Sequence, residues 1–126
     1  MAILRDGYEK VAFSMPGGEA SDTRRSRPID LSHLSKQTMG DRELEREVLG
    51  MFVEQAQTVR RQIGDAAVKE RLFLAHSLKG SARGVGAFAI AECACAIENS
   101  PTDRLVVKRL VRLIDDACDF IASISR

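Results

Sequence analysis

The chain has 126 residues, of which 44% are hydrophobic and 29% charged, a balance typical of one folded globular domain. The formal net charge of +1 excludes a general attraction to nucleic acid or to an anionic membrane, so we expect neither as a partner. Three cysteines are too few for a disulfide framework, and we find no signal-peptide pattern and no apolar run of roughly 20 residues; we therefore expect a cytoplasmic protein.

The first 27 residues differ in composition from the rest of the chain. They are polar, rich in small residues and without a repeating apolar face, which predicts a flexible N-terminal tail and a folded domain over residues 28–126. Two short apolar segments, at residues 2–4 and 11–13, could dock on the domain transiently. The basic run at residues 24–27 is interpreted as a solvated linker.

Two helices are predicted in the first half of the domain. The first is short and covers residues 30–36, with Asp30 as its N-cap and Gly40 as the break that follows. The second covers residues 41–63, because apolar residues recur at steps of three or four and form one stripe. The stripe consists of Leu44, Val48, Phe52, Ala56, Val59 and Ile63.

Three more helices are predicted in the second half. They cover residues 66–83, 87–98 and 104–124, and they are separated by breaks at residues 84–86 and 99–103. We expect Gly64 and Asp65 to end the second helix and to cap the third. Four long amphipathic helices with short joints predict an all-α, antiparallel up-down four-helix bundle with a short extra N-terminal helix. One bundle buries its own core, so we expect a monomer.

A histidine on the third helix stands out from its surroundings. At about 100° per residue, Leu74, Leu78 and Val85 face the core, whereas His76 falls on the opposite, solvent-facing side. Around it we expect six other residues: Lys69, Leu72, Phe73, Lys79, Gly80 and Arg83. Arg71 occupies a position where the helical wheel favours an apolar residue, which suggests that the start of this helix is bent or frayed.

The residues around this histidine suit a phosphoryl acceptor. A neutral imidazole nitrogen is a good nucleophile near pH 7, because the ordinary imidazole pKa is about 6.5. Lys79 supplies a cation for the phosphate, and Ser77 adds a hydroxyl. Gly80 costs roughly 1 kcal/mol relative to alanine inside a helix, which indicates that clearance for a partner is needed there. The alternative is an inert histidine on a helical interaction or adaptor bundle.

The same stretch resembles the signature of the histidine-phosphotransfer (HPt) family, whose centre is His-x-x-Lys-Gly followed by small residues. Here it reads His76-Ser77-Leu78-Lys79-Gly80-Ser81-Ala82. The resemblance extends over residues 29–124. It implies a helical bundle that exchanges a phosphoryl group with the aspartate of receiver domains and that works with a hybrid histidine kinase. His76 would then be the phosphoryl acceptor, Lys79 the phosphate-stabilising cation and Gly80 the clearance residue.

Further expectations concern the partner, the cofactors and the enzymatic activity. Lys69, Leu72, Phe73, Ser77 and Arg83 are the predicted partner-binding residues, and Mg²⁺ is expected on the receiver, with no cofactor on this chain. The protein should carry phosphate without autokinase or ATPase activity, since it has no glycine-rich phosphate loop. A histidine kinase is less fitting because Ser77, rather than an acidic residue, follows His76. Cys93 and Cys95 point in different directions on a helix and do not predict a zinc site.

Overall fold

The computed structural model of the protein describes residues 27–125, which form five helices and no strand. The helices are α1 (Leu31–Gln37), α2 (Arg42–Gln62), α3 (Val68–Val85), α4 (Phe88–Asn99) and α5 (Arg104–Ile124). The all-α prediction is therefore confirmed. Apart from Arg27, the predicted N-terminal tail lies outside the described residues. None of the described helices is both long enough and apolar enough to cross a membrane.

The four long helices form an antiparallel bundle. Each packs on two neighbours, in the cyclic order α2, α3, α4, α5, while α1 packs on α3. Cross-bundle contacts show the antiparallel register, because Arg60 of α2 pairs with Asp115 of α5 and the earlier Gln57 contacts the later Cys118. The interior is apolar throughout its length and includes fully buried Leu78, Ile97, Leu110 and Ile114. This packing fixes α3 and α4 side by side.

Aspartate side chains begin three of the helices. Asp30, Asp41 and Asp103 are N-caps that accept hydrogen bonds from backbone N–H groups in the first turns of α1, α2 and α5. The expectation that Asp65 caps the third helix is wrong. That helix begins later, at Val68, and its N-cap Ala67 makes no side-chain hydrogen bond.

The joint between α3 and α4 depends on one glycine. The α3 helix continues through Gly84 and ends at Gly86, whose φ of 88° is in the left-handed region that favours glycine. The carbonyl of Gly86 accepts a hydrogen bond of 2.9 Å from the N–H of Asp30. A Cβ at Gly86 would lie 2.8 Å from the carbonyl oxygen of Asp30. The start of α1 is thus fastened to the joint that orients α4 against α3.

The buried stripe of α2 differs from the predicted one at its start. Leu44 is exposed and Val48 is half-buried, whereas Leu49 lies in the core with Phe52, 5% and 3% exposed respectively. The side of α2 that packs in the core therefore begins at Leu49, in the second turn of the helix. The apolar spacing within one helix does not show where along that helix the packing against its neighbours begins.

Arg71 does not bend or fray the start of α3, as its position on the helical wheel had suggested. Its side chain is buried, and its guanidinium donates three hydrogen bonds to backbone carbonyls. The acceptors are Ile63 and Gly64 before α3, at 2.9 and 2.8 Å, and Pro101 before α5, at 2.8 Å. The planar fork of five N–H donors matches this arrangement. Arg71 therefore ties two inter-helix joints to α3.

Candidate functional site around His76

His76 lies in the middle of α3 with its ring in solvent. Its side chain is 72% exposed, while Ala75 and Leu78 on the other side of the helix are completely buried. His76 therefore faces solvent, because the apolar residues on the opposite side of α3 fill the bundle interior. The predicted solvent-facing position of His76 agrees with this geometry.

A carboxylate from the neighbouring helix contacts the ring. Glu98, near the end of α4, places Oε2 2.9 Å from Nδ1 of His76. Its other oxygen, Oε1, is buried and lies 2.5 Å from Nζ of Lys79, which forms a close ion pair with it. The side chains of Lys79 and Glu98 are 18% and 22% exposed. Three residues on two helices thus form one connected cluster.

The electrostatics of this cluster favour an ionised Glu98. Partial burial raises the pKa of the Glu98 carboxyl, but its contacts with Lys79 and His76 outweigh that effect and hold the pKa below its ordinary value. Glu98 is therefore a carboxylate near neutral pH, and a carboxylate only accepts hydrogen bonds. The 2.9 Å contact consequently requires the proton of His76 to be on Nδ1.

This assignment determines which ring nitrogen is available for chemistry. With the proton on Nδ1 and directed at Glu98, a neutral ring has its free lone pair on Nε2. The ring is mostly exposed, so a partner protein can reach that nitrogen. A positive charge that develops on the ring would be stabilised by the adjacent carboxylate. The arrangement can therefore support nucleophilic attack by Nε2 on an electrophile carried by another protein.

Glu98 is the functional residue that the helical wheel of the third helix missed. The sequence predicted cations and apolar groups around His76, because only residues of the same helix were placed. The ring in fact contacts a carboxylate from α4, and this carboxylate also pairs with the predicted cation Lys79. The available signal was the position of Glu98 at the end of the following helix, one antiparallel joint away from His76.

The glycine predicted to give clearance lies one turn beyond His76. A Cβ built on Gly80 would have no heavy atom within 4 Å, so neither packing nor backbone conformation requires glycine there. Ser81 directs its hydroxyl toward the carbonyl of Ser77 at 3.4 Å, within its own helix. The absence of a side chain at Gly80 leaves open surface next to the imidazole.

The predicted partner-binding residues lie on the outer surface of α3 and differ in exposure. Lys69 and Arg83 are exposed, while Leu72 and Ser77 are half-buried. Phe73 is 69% exposed, which is unusual for a large aromatic side chain. Arg83 also lines a shallow groove of about 380 Å³ between α3 and α4, with Phe88, Ala91, Glu92 and Cys95. The site is thus bordered by apolar and cationic surface.

Outside this cluster, the described residues include three cysteines and one other histidine. Among residues 27–125, no group of three or more His, Cys, Asp or Glu side chains could hold a metal ion. Cys93, Cys95 and Cys118 are free thiols. The other histidine, His33, lies partly buried on α1, with its ring edge against Phe88 at a centroid distance of 5.1 Å.

An exposed histidine in mid-helix on a four-helix bundle is the arrangement expected from the sequence for a histidine-phosphotransfer protein, and the structure adds a carboxylate next to it. The sequence profile of the Hpt domain matches residues 47–121, which is more than half of the chain. The chain therefore belongs to the Hpt domain family. Proteins of this family are phosphotransfer carriers rather than kinases, and they take part in phosphorelays with receiver domains. Neither the curated proteins nor the solved structures contain a match to this chain.

Proposed function

We propose that this protein carries a phosphoryl group on His76 between the aspartates of two receiver domains in a two-component phosphorelay. The observation that carries the proposal is the 2.9 Å contact between Nδ1 of His76 and Glu98, which leaves Nε2 as the exposed nucleophile. A fixed tautomer, an accessible lone pair and a nearby counter-charge are the properties that a phosphoryl acceptor needs.

The transfer step can be written from these atoms. The Nε2 lone pair attacks phosphorus in the aspartyl phosphate of a receiver, an N–P bond forms, and the P–O bond to the aspartate breaks. The receiver aspartate leaves as a carboxylate. The proton stays on Nδ1, and Glu98 stabilises the positive ring that results. In the second step, the aspartate of another receiver attacks phosphorus, an O–P bond forms, the N–P bond breaks, and His76 returns to its neutral form.

The neighbouring residues have separate roles in this proposal. Lys79 steadies the phosphoryl group as it moves, and Gly80 lets a receiver approach the ring closely. The apolar and cationic border, formed by Lys69, Leu72, Phe73, Ser77 and Arg83, contacts the receiver. Mg²⁺ is expected in the acidic pocket of the receiver, and we assign no cofactor to this chain.

The proposal also sets the place of the protein in its pathway. A hybrid histidine kinase would supply the first phosphorylated receiver, and this chain would act in the cytoplasm as a monomer. It should show no autokinase or ATPase activity. Labelling of the purified chain by ATP alone would contradict this view.

The proposal is tested by transfer from a ³²P-labelled receiver domain to the wild type, His76→Gln and His33→Gln. We expect acid-labile label on the wild type and on His33→Gln, and none on His76→Gln. Label on His76→Gln, or none on the wild type with any receiver from the same organism, would leave the inert interaction bundle as the better reading.

A further inference from the structure

The first half of α5 carries a cluster of positive charge. Four exposed cations lie within nine residues, and none is ion-paired with another residue in the described part of the chain. The acidic residues of the same helix all lie in its second half, beginning at Asp115. We call these four residues the cationic surface of α5: Arg104, Lys108, Arg109 and Arg112.

Arg112 precedes Asp115 and Asp116 by three and four residues, but the other three cations have no acidic residue at these spacings on α5 and do not stabilise the isolated bundle. Arg104 is the first residue of α5, where the positive end of the helix dipole disfavours a cation. Arg104, Lys108 and Arg112 follow at steps of four residues and therefore repel one another along the helix. A charge pattern that works against its own helix indicates a benefit gained outside the folded chain, from a partner of opposite charge.

An apolar side chain lies within this cationic surface. Leu105 is 76% exposed, and it precedes Lys108 by three residues and Arg109 by four, so the three side chains are neighbours on the helix. A large apolar group surrounded by cations favours a protein partner, because it can enter an apolar pocket while carboxylates around that pocket meet the cations.

The cationic surface lies within reach of a partner bound at His76. The α4 helix lies between α3 and α5: Glu98 of α4 contacts His76, and Cys93 of α4 donates to the carbonyl of Val106. Arg109 is one turn beyond Val106. With 1.5 Å per residue and helix spacings of 8–10 Å, Arg109 is roughly 15–20 Å from His76. A standard interface of about 800 Å² per partner is roughly 28 Å across, so a partner that binds at His76 and extends across α4 can contact Arg109.

Two of the four cations lie closer than the others to the side of α5 that faces α4. Val106 marks that side, because its carbonyl accepts from Cys93 of α4. At about 100° per residue, Arg109 is about 60° and Arg112 about 120° from Val106 around the helix, whereas Arg104 and Lys108 are about 160° away. Lys108 and Arg104 are turned toward the opposite edge of the helix, on the side of Asp115 and its partner Arg60. Arg109 and Arg112 are therefore the cations closest to the His76 side.

We propose that Leu105, Arg109 and Arg112 form a second docking surface for the receiver that exchanges phosphate with His76. This inference rests on the proposed function. The receiver that fits carries an acidic patch around an apolar pocket, at the edge of the face that holds its phosphorylated aspartate. The arginines raise the rate of association, and the leucine slows dissociation. Receivers without the acidic patch are poor partners.

The test compares two charge-reversal variants with the same change in net charge. Arg109→Glu/Arg112→Glu alters the proposed surface. Arg42→Glu/Arg46→Glu is the matched control, because both arginines are exposed at the start of α2. Arg46 lies roughly 20 Å along that helix from Arg60, the residue of α2 that pairs with α5, and is therefore far from the cationic surface of α5. The assay is the rate of transfer from a ³²P-labelled receiver at ionic strengths from 0.02 to about 0.5 M, a range that spans strong to weak screening. Phosphoramidate, a small phosphoryl donor, reports the nucleophile without docking.

We expect the Arg109/Arg112 variant to lose about tenfold in kcat/KM with the receiver at low ionic strength, and this gap should close as salt is added. The Arg42/Arg46 control should stay within twofold of the wild type. Leu105→Ala should lower kcat/KM at every ionic strength, because its effect is not electrostatic. All variants should take up label from phosphoramidate as the wild type does.

Two outcomes would overturn the inference. One is equal receiver kinetics for the Arg109/Arg112 variant and its control. The other is a loss of binding to duplex DNA or to phosphatidylglycerol vesicles by that variant, with no loss of transfer. If neither phosphoramidate nor a receiver labels His76 in the wild type, it is the proposed function that fails. The two failures are therefore distinguishable.

Discussion

Replacing Glu98 with glutamine removes the negative charge beside His76 but keeps an oxygen that can accept a hydrogen bond from the Nδ1–H group. The wild-type carboxylate contacts Nδ1 at 2.9 Å and Lys79 at 2.5 Å, so both contacts are charge-assisted or become so when the ring is positive. Glu98→Gln should therefore preserve the tautomer of His76 while weakening the stabilisation of the charged ring.

The size of the effect follows from the difference between charged and neutral hydrogen bonds. A hydrogen bond to a charged group contributes about 1.5–3 kcal/mol, and a neutral one about 0.5–1.5 kcal/mol. The expected loss in the transition state is about 1–1.5 kcal/mol, which slows phosphorylation of His76 roughly tenfold. Glu98→Ala should be slower still, because it also removes the acceptor that holds the proton on Nδ1.

The assay is the rate of His76 labelling by phosphoramidate, with ¹⁵N spectra of the ring to report its tautomer. The lowered pKa of Glu98 means that its contacts contribute stability above the ordinary carboxyl pKa and are lost as the pH falls through the lowered value. The wild type should therefore keep the Nδ1–H form at neutral pH. Equal labelling rates for the wild type, Glu98→Gln and Glu98→Ala would refute the role given to this carboxylate.

Three further predictions concern the neighbours of this site and its support. Gly80→Gln should slow transfer from a receiver by tenfold or more with unchanged thermal stability, since a Cβ there meets nothing and glycine is unfavourable in a helix; unchanged rates would show that clearance is not its role. Lys79→Ala should slow transfer without abolishing it, because one charge-assisted contact of about 1.5–3 kcal/mol is lost. The measurement is the rate of transfer from a receiver, and a wild-type rate would exclude Lys79 from phosphate stabilisation. Arg71→Met should lower the free energy of unfolding by about 3 kcal/mol in urea titrations, because three carbonyls lose their hydrogen-bond partner. Arg71→Lys should lower the free energy of unfolding by less. A decrease below about 1 kcal/mol for Arg71→Met would contradict the role of Arg71 in holding the two joints to α3.

Local sequence signals were sufficient for the number and order of the helices and for the side of α3 on which His76 lies. Capping aspartates, glycines and the apolar spacing act over three or four residues, so Asp30 marks a helix start without knowledge of the neighbouring helices. Leu74 and Leu78 likewise indicated the buried side of α3, which left His76 outside. The predicted roles of Lys79, Gly80 and the partner-binding residues remain predictions that the transfer assays address.

The arrangement of helices decided what one helix cannot show by itself. The contact between Glu98 and His76 depends on the antiparallel packing of α3 and α4, and it joins residues 22 positions apart. Arg71 could not be read as a fastening residue from a helical wheel, because its acceptors are carbonyls of two joints that come together only in the bundle. The spacing of apolar residues indicates which side of a helix is buried. The partners of a side chain, and therefore the ring nitrogen of His76 that stays free, depend on which helix packs alongside.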